Sequence, residues 1–352
     1  MSVKVAIITR DYPPKIGGIS THTSALARSL AELGVQVEVL AGYSDLGTLV
    51  IPFRYDLGKY DLVHVQSSPY GAFVSKHPLV VTVHSPVKAE RRYYNRSLRA
   101  KSYPAILFEK LTLRRADSIV VVSETTRNDL IERYGIRPER ISVIPNGVEF
   151  ERFSAVARDK GGIGPLRVAI VSRLEPRKNI AEAFEGLARL PRGGHTLEVI
   201  GDGSERAKLE ELARELGLEV RFSGAVSEEG LPSAYGRADV LLTASRSEGF
   251  GLTLLEASAA GCAIVASDIA AHRELVSDGR NGLLFSGSDD LAKKLLILCN
   301  NRELVSLIGE NAREAAKKFS WKDVASAFVR LYKVCLDAGM VQYRMDDLQS
   351  RP

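Results

Sequence analysis

No stretch of the 352 residues approaches the roughly 18 consecutive apolar residues that a membrane-spanning helix needs, so the chain is not expected to cross a bilayer. Cysteine is scarce. Cys262, Cys299 and Cys335 stand far apart and form no C-x-x-C pair, which excludes a disulfide framework and points to reduced structural residues in a reducing, cytoplasmic compartment. The chain also lacks D-x-D, H-E-x-x-H and any Cys/His cluster, the common ways of holding a metal ion, so neither metal nor cofactor is expected. The first apolar run, Val3–Thr9, is too short for a signal peptide and leads straight into Arg10-Asp11-Tyr12-Pro13-Pro14. It has the character of a first β-strand.

What is present is the composition of an ordinary folded protein, 45% hydrophobic and 26% charged, with no low-complexity tract. The net charge of +5 and pI near 9.0 suit anionic small molecules, nucleic acid or acidic lipid alike. The basic residues build no recognised nucleic-acid module, so no nucleic acid partner is expected.

Short runs rich in Val and Ile alternate with longer amphipathic stretches. Val3–Thr9, Gln36–Ala41, Leu62–Gln66, Leu79–His84, Ser118–Ser123 and Ile141–Pro145 read as parallel strands buried on both faces. The pattern then restarts with Leu166–Val171, Thr196–Ile200, Glu219–Phe222, Val240–Thr243, Ala263–Ala266 and Gly282–Phe285. The openings Val3-Lys4-Val5-Ala6-Ile7-Ile8-Thr9-Arg10 and Leu166-Arg167-Val168-Ala169-Ile170-Val171-Ser172-Arg173 echo one another. Two α/β doubly wound domains in tandem follow, at residues 1–156 and 166–318, joined by a polar, Gly-rich linker at 157–165. Such sheets bind ligands beyond the carboxyl ends of their strands, so an interdomain cleft is expected. Residues 319–352 read as a closing helix with Ser320 as its N-cap.

Three stretches carry candidate chemistry. In Lys15-Ile16-Gly17-Gly18-Ile19-Ser20-Thr21-His22 a Gly-Gly turn opens a helix expected over Ser20–Leu33, closed by Gly34. Gly17 and Gly18 would let backbone amides approach an anion, or simply make a tight turn. At the matching strand end of the second half, Arg173 and Lys178 flank the proline turn of Ser172-Arg173-Leu174-Glu175-Pro176-Arg177-Lys178-Asn179. A guanidinium fork and a mobile ammonium suit a diphosphate. The third stretch is Ser245-Arg246-Ser247-Glu248-Gly249-Phe250-Gly251-Leu252-Thr253-Leu254-Leu255-Glu256. If its helix begins near Phe250, Glu248 sits on the preceding turn and Glu256 about 9 Å along the axis. Two acids at different depths can grip the diols at the two ends of a nucleotide sugar, and Gly249 and Gly251 would offer amides between them.

These residues carry a resemblance. Glu248-Gly249-Phe250-Gly251-Leu252 with Glu256-Ala257-Ser258-Ala259-Ala260-Gly261 resembles the E-x7-E motif of retaining GT-B glycosyltransferases, specifically glycosyltransferase family four. It extends over most of the chain through Tyr12-Pro13-Pro14 with Gly17-Gly18 and His22, Val122-Ser123, Pro145-Asn146-Gly147-Val148, Ser172-Arg173-Leu174 with Lys178-Asn179, Gly201-Asp202-Gly203 and Ala238-Asp239-Val240. Each motif is weak alone; the ordered set is specific.

The resemblance implies a GT-B fold of two Rossmann-like domains, with the closing helix crossing back to the first. It implies metal-independent transfer of a glycosyl group from a nucleotide-diphosphate sugar to an acceptor hydroxyl with retention, by a front-face route. Glu256 would hold the ribose, Glu248 a donor-sugar hydroxyl, and Arg173 and Lys178 the diphosphate. Gly17 and Gly18 would shape the opposing wall, while Gly249, Phe250, Gly251 and Leu252 would line the donor site. His84, in Thr82-Val83-His84-Ser85-Pro86, matches the family's active-site histidine, though a core histidine is its plain reading, as for His64. Asn146 either contacts the cleft or makes the turn that Asn-Gly favours. The rival readings are a GT-B epimerase and a catalytically silent nucleotide-sugar-binding subunit; the acceptor is left open.

Lys88–Tyr103 carries six Lys or Arg, one Glu and three Tyr. It is a solvated or phosphate-contacting loop, or else a peripheral contact with an anionic membrane at the inner face, bringing a lipid-borne acceptor to the site.

Overall fold

The computed structural model describes residues 3–349 apart from Ile16, Lys76, Asn95 and 157–163, with the backbone alone described beyond residue 337. Most of the linker expected at 157–165 therefore lies outside the described residues. The chain divides into two compact units. One takes the residues up to Gly147 and those from Trp321 on; the other is Val148–Ser320.

The first unit is built on a six-stranded parallel sheet of order β2-β1-β3-β4-β5-β6. Its strands are β1 (Lys4–Thr9), β2 (Gln36–Ala41), β3 (Leu62–Val65), β4 (Leu79–Val83), β5 (Ser118–Val121) and β6 (Ile141–Val143). Alternation along β1 divides the core. Val5 and Ile7 pack with Leu26, Leu30, Trp321, Phe328 and Tyr332, whereas Ala6 and Ile8 pack with Val63, Val81, Leu113 and Leu130 on the other face. The last helix, Trp321–Gln349, thus lies on the same face as the helix Gly18–Glu32.

The second unit repeats the design with β7 (Leu166–Val171), β8 (His195–Ile200), β9 (Val220–Gly224), β10 (Val240–Thr243), β11 (Ala263–Ser267) and β12 (Leu283–Phe285), in the order β12-β11-β10-β7-β8-β9. Leu166, Val168, Ile170, Val240, Leu242 and Val265 meet Phe184, Leu187, Leu291 and Leu295 in one core. The α/β doubly wound class expected from the sequence is observed in both units.

Strand order locates the ligand ends. In the first sheet the chain turns from β2 to the far side of β1, so the switch lies between β1 and β3. In the second it returns from β9 to place β10 beside β7, so the switch lies between β7 and β10. Ligands bind outside the carboxyl ends of strands at such points. The loops after β1, β3, β7 and β10 carry Gly17-Gly18, Gln66, Arg173-to-Lys178 and Glu248.

Two expected helix starts move. The first helix begins at Gly18 rather than Ser20 and ends at Glu32. The other begins at Leu252 rather than near Phe250, because Gly251 stands at the N-cap with φ 106°, in the region that favours glycine. Glu256 therefore lies about 6 Å, not 9 Å, along that helix. Among the described residues no helix is long and apolar enough to cross a membrane.

Candidate active site

In the second unit, the loop leaving β7 is clamped by its neighbour. Leu174 N–H donates to Asp202 O at 2.9 Å. A Cβ on Gly201 (φ 133°) would stand 1.9 Å from Ser172 O, so the Gly-Asp-Gly motif serves this close approach. The clamped loop then makes a 3-10 turn, Pro176–Lys178, before the helix Ile180–Leu187. That turn sets Arg177 and Lys178 together and leaves Arg173 apart. Arg173 is 63% exposed and pairs with Glu175 at 2.9 Å.

The loop leaving β10 brings Glu248 to those cations. Its Oε1 accepts from Lys178 Nζ at 2.5 Å and Ser245 Oγ at 2.7 Å, and its Oε2 from Arg177 at 3.1 Å. The Glu248 and Lys178 side chains are only 11% and 12% exposed. Burial alone would raise the Glu248 carboxyl, but Lys178 and Arg177 outweigh it and hold it well below the usual range. Burial, with Arg177 and Arg173 nearby, lowers the Lys178 ammonium against the attraction of Glu248. Phe250 is buried and meets Phe319 edge-on at 6.0 Å, so only its backbone is left to face a ligand.

Glu256, on the helix Leu252–Ala259, is buried and accepts from the Tyr235 hydroxyl at 2.8 Å. Burial raises its carboxyl to about 7, against the pull of the Tyr235 hydrogen bond and Arg152. Like the helix opened by Gly17-Gly18, those beginning at Ile180 and Leu252 carry no side-chain cap on their first turn. Uncapped first turns leave backbone donors and the positive end of the dipole for an anion. Among the described residues, no three His, Cys, Asp or Glu side chains stand together as a cation site.

In the first unit, His84 follows β4 and is half-buried. Its Nε2 lies 3.2 Å from Gln66 Oε1, and its ring meets His22 edge-on at 4.6 Å. Burial, then His22 and His64, lower its imidazole well below the ordinary range. Asn146 is buried, with Oδ1 at 2.8 Å from His22 Nδ1, and Trp321 closes on His22 at 5.3 Å. The buried Glu109 accepts from Val87 N–H at 3.1 Å, Ser68 Oγ at 2.5 Å and the Tyr134 hydroxyl. It ties the loop after β4 to the helix Tyr103–Arg115.

Residues 156–315 match the family described as glycosyl transferases group 1, and residues 46–152 match glycosyltransferase family 4. The D-inositol 3-phosphate glycosyltransferase of Salinispora arenicola is 30% identical over 308 residues, covering 78% of this chain and 69% of that protein. The chain is a member of glycosyltransferase family four. D-inositol 3-phosphate glycosyltransferase 2 of Catenulispora acidiphila is 28% identical across 98% of this chain and 96% of its own length. The Anabaena protein HepE, solved in complex with UDP and glucose, superposes with a TM-score of 0.74 at 23% identity, covering 94% of this chain and 100% of that one.

Five side chains in and around the candidate site were not singled out from the sequence: Arg177, Ser245, Tyr235, Gln66 and Glu109. Arg177 had a signal, since it adjoins Lys178 in the proline turn. Tyr235 and Gln66 had none, being 21 and 18 positions from the side chains they hold.

Proposed function

We propose that this glycosyltransferase moves a sugar from a nucleoside-diphosphate sugar to the hydroxyl of a glycan, glycolipid or small molecule, with retention and without a metal ion. The observation that carries the reading is Glu248, its side chain only 11% exposed and held ionised between Lys178, Arg177 and Ser245 at the switch point of the second sheet. A carboxylate held charged is a strong acceptor for sugar hydroxyls. The cations that hold it stand where a diphosphate would need charge, with Arg173 exposed on the same loop to close on it. Glu256 supplies the ribose contact, and the uncapped helix starts supply amides for phosphate oxygens. Leaving-group charge would be met by these fixed donors. His84 would contact the donor sugar. The reading agrees with a HepE structure that holds UDP and glucose.

The acceptor side includes contact with an anionic membrane. Tyr103, Leu107 and Leu111 are 61%, 56% and 37% exposed at four-residue spacing on the helix Tyr103–Arg115, an apolar stripe open to solvent. Lys110 and Arg114, on the same helix, line with Arg137 and Arg140 a cavity of about 250 Å³. An apolar stripe beside cations suits the surface of an anionic bilayer. The preceding basic segment is partly engaged internally, Arg91 stacking on Tyr103 at 4.2 Å and Arg92 on Tyr93 at 4.8 Å.

Two measurements test the reading. Calorimetric titration with nucleoside diphosphates should give binding that is lost in Lys178→Ala. The anomeric configuration of the transferred sugar should match that of the donor. No binding of any nucleoside diphosphate, or an inverted product, would contradict it.

A further inference from the structure

His84 is wired inward through a chain of buried side chains that all belong to the first unit. Its Nε2 lies 3.2 Å from Gln66 Oε1; Gln66 Nε2 lies 3.3 Å from His64 Nε2. His64 Nε2 is 2.7 Å from Thr82 Oγ1, and His64 Nδ1 is 2.7 Å from the Tyr332 hydroxyl on the last helix. Gln66, His64 and Thr82 are fully buried.

The protons in this chain follow from what each group can do. An amide oxygen only accepts, so the His84 proton sits on Nε2 and is donated to Gln66. An amide nitrogen only donates, so His64 Nε2 is the bare acceptor of that pair, its single lone pair shared between the Thr82 hydroxyl at 2.7 Å and the longer Gln66 contact at 3.3 Å. The His64 proton is then on Nδ1, donated to the Tyr332 oxygen. Burial keeps both rings neutral, lowering His64 to about 3 and His84 well below the ordinary range. A neutral His84 with its only N–H turned inward has an unprotonated Nδ1.

We propose that Gln66 is a positioning residue that locks His84 in the Nε2–H tautomer, so that His84 meets substrate only as a hydrogen-bond acceptor through Nδ1. Such a nitrogen takes a hydroxyl proton, from the donor sugar or the acceptor, and offers nothing to a phosphate or carbonyl oxygen. It therefore discriminates for hydroxyls, and the C-terminal helix participates through Tyr332. The inference rests on His84 contacting substrate.

The test begins with the unmodified protein, labelled with 15N-histidine. Long-range proton–nitrogen spectra identify the protonated ring nitrogen, and loss of signals in His84→Ala and His64→Ala assigns them. The expected result is Nε2–H on His84 and Nδ1–H on His64. Gln66→Leu should release the lock, giving a mixed His84 tautomer and a fall in kcat of about tenfold, one hydrogen bond's worth. Gln66→Glu, whose carboxylate accepts on both sides, should recover most of that loss, keep Nε2–H on His84 and switch His64 to Nε2–H. Nδ1–H on His84 in the unmodified protein overturns the proposal even if the variants fail to fold, as does a Gln66→Leu protein with unchanged tautomer and kcat. If the tautomers are as expected but His84→Ala turns over normally, the substrate-contact reading of His84 falls and the proposed function of His84 with it, while the tautomer assignment stands.

Discussion

Lys178 Nζ stands 2.5 Å from Glu248 Oε1, and both side chains are nearly excluded from solvent. A buried pair of this kind is costly to break from one side, because the remaining charge has no water to turn to. Arg177 adds a second cation to the same carboxylate.

Lys178→Ala and Glu248→Gln should each lower turnover by about two orders of magnitude or more, the loss expected when a group facing developing diphosphate charge or a reacting sugar is removed. Each should also cost about 3 kcal/mol of stability as a single change. Lys178→Met combined with Glu248→Gln should regain much of that stability while staying inactive. Thermal unfolding and steady-state kinetics on all three proteins check this; a single variant of normal activity would remove its assigned role.

Glu256 should make nucleotide binding pH-dependent. Its carboxyl is raised from 4.5 to about 7 by burial, so the unliganded fold prefers the protonated form. This contribution to stability is fully present below pH 4.5 and is lost as pH rises from there to about 7. Ribose hydroxyls donate to the ionised form, so binding near pH 6 must release close to one proton. Affinity should fall about tenfold per pH unit from pH 7 to pH 5. Glu256→Gln should abolish the proton release, read by calorimetry in two buffers. The nucleotide's own titration is common to both proteins and cancels. Tyr235→Phe removes a donor that favours the ionised form, so it should move the transition to higher pH.

Activity should survive a strong chelator, because Arg173, Arg177, Lys178 and the uncapped helix start at Ile180 supply the positive charge at the loop after β7. Complete loss with EDTA, restored by Mg2+ or Mn2+, would show that the leaving group relies on a metal ion.

Anionic vesicles should sediment the protein at low salt and release it near 0.5 M, where screening shortens electrostatic reach to roughly 4 Å. Replacing Arg91, Arg92, Arg96 and Arg99 with Ser should weaken binding, and Leu107→Ser with Leu111→Ser should weaken it further, since these two are exposed. Binding that is absent at low salt, or unchanged in both variants, would leave a soluble acceptor as the better reading.

The strands and their doubling could be read from sequence because parallel strands buried on both faces are continuous apolar runs, and β1 and β7 begin alike. Strand order could not, since register and crossovers depend on contacts distant in sequence. Glu248, Glu256 and Lys178 were singled out through spacing around glycine and proline turns, and the structure brings Lys178 and Glu248 into contact. Arg173 was grouped with Lys178, yet the Pro176–Lys178 turn places Arg177, not Arg173, against Glu248. Phe250 looked like a site residue, but its ring fills the core against Phe319. His84 and His64 looked equivalent at strand ends. The difference lies in Gln66, Thr82 and Tyr332, the last 268 positions from His64, a partnership that no local pattern announces.

The most direct test is release of nucleoside diphosphate from a panel of labelled nucleotide sugars, with and without cell-derived acceptors, by the unmodified protein and by Lys178→Ala. The expected result is release from a small subset of donors, stimulated by acceptor and reduced about a hundredfold or more in the variant. Tight binding of a nucleotide sugar with no release from any donor would contradict the account and leave a binding subunit in its place.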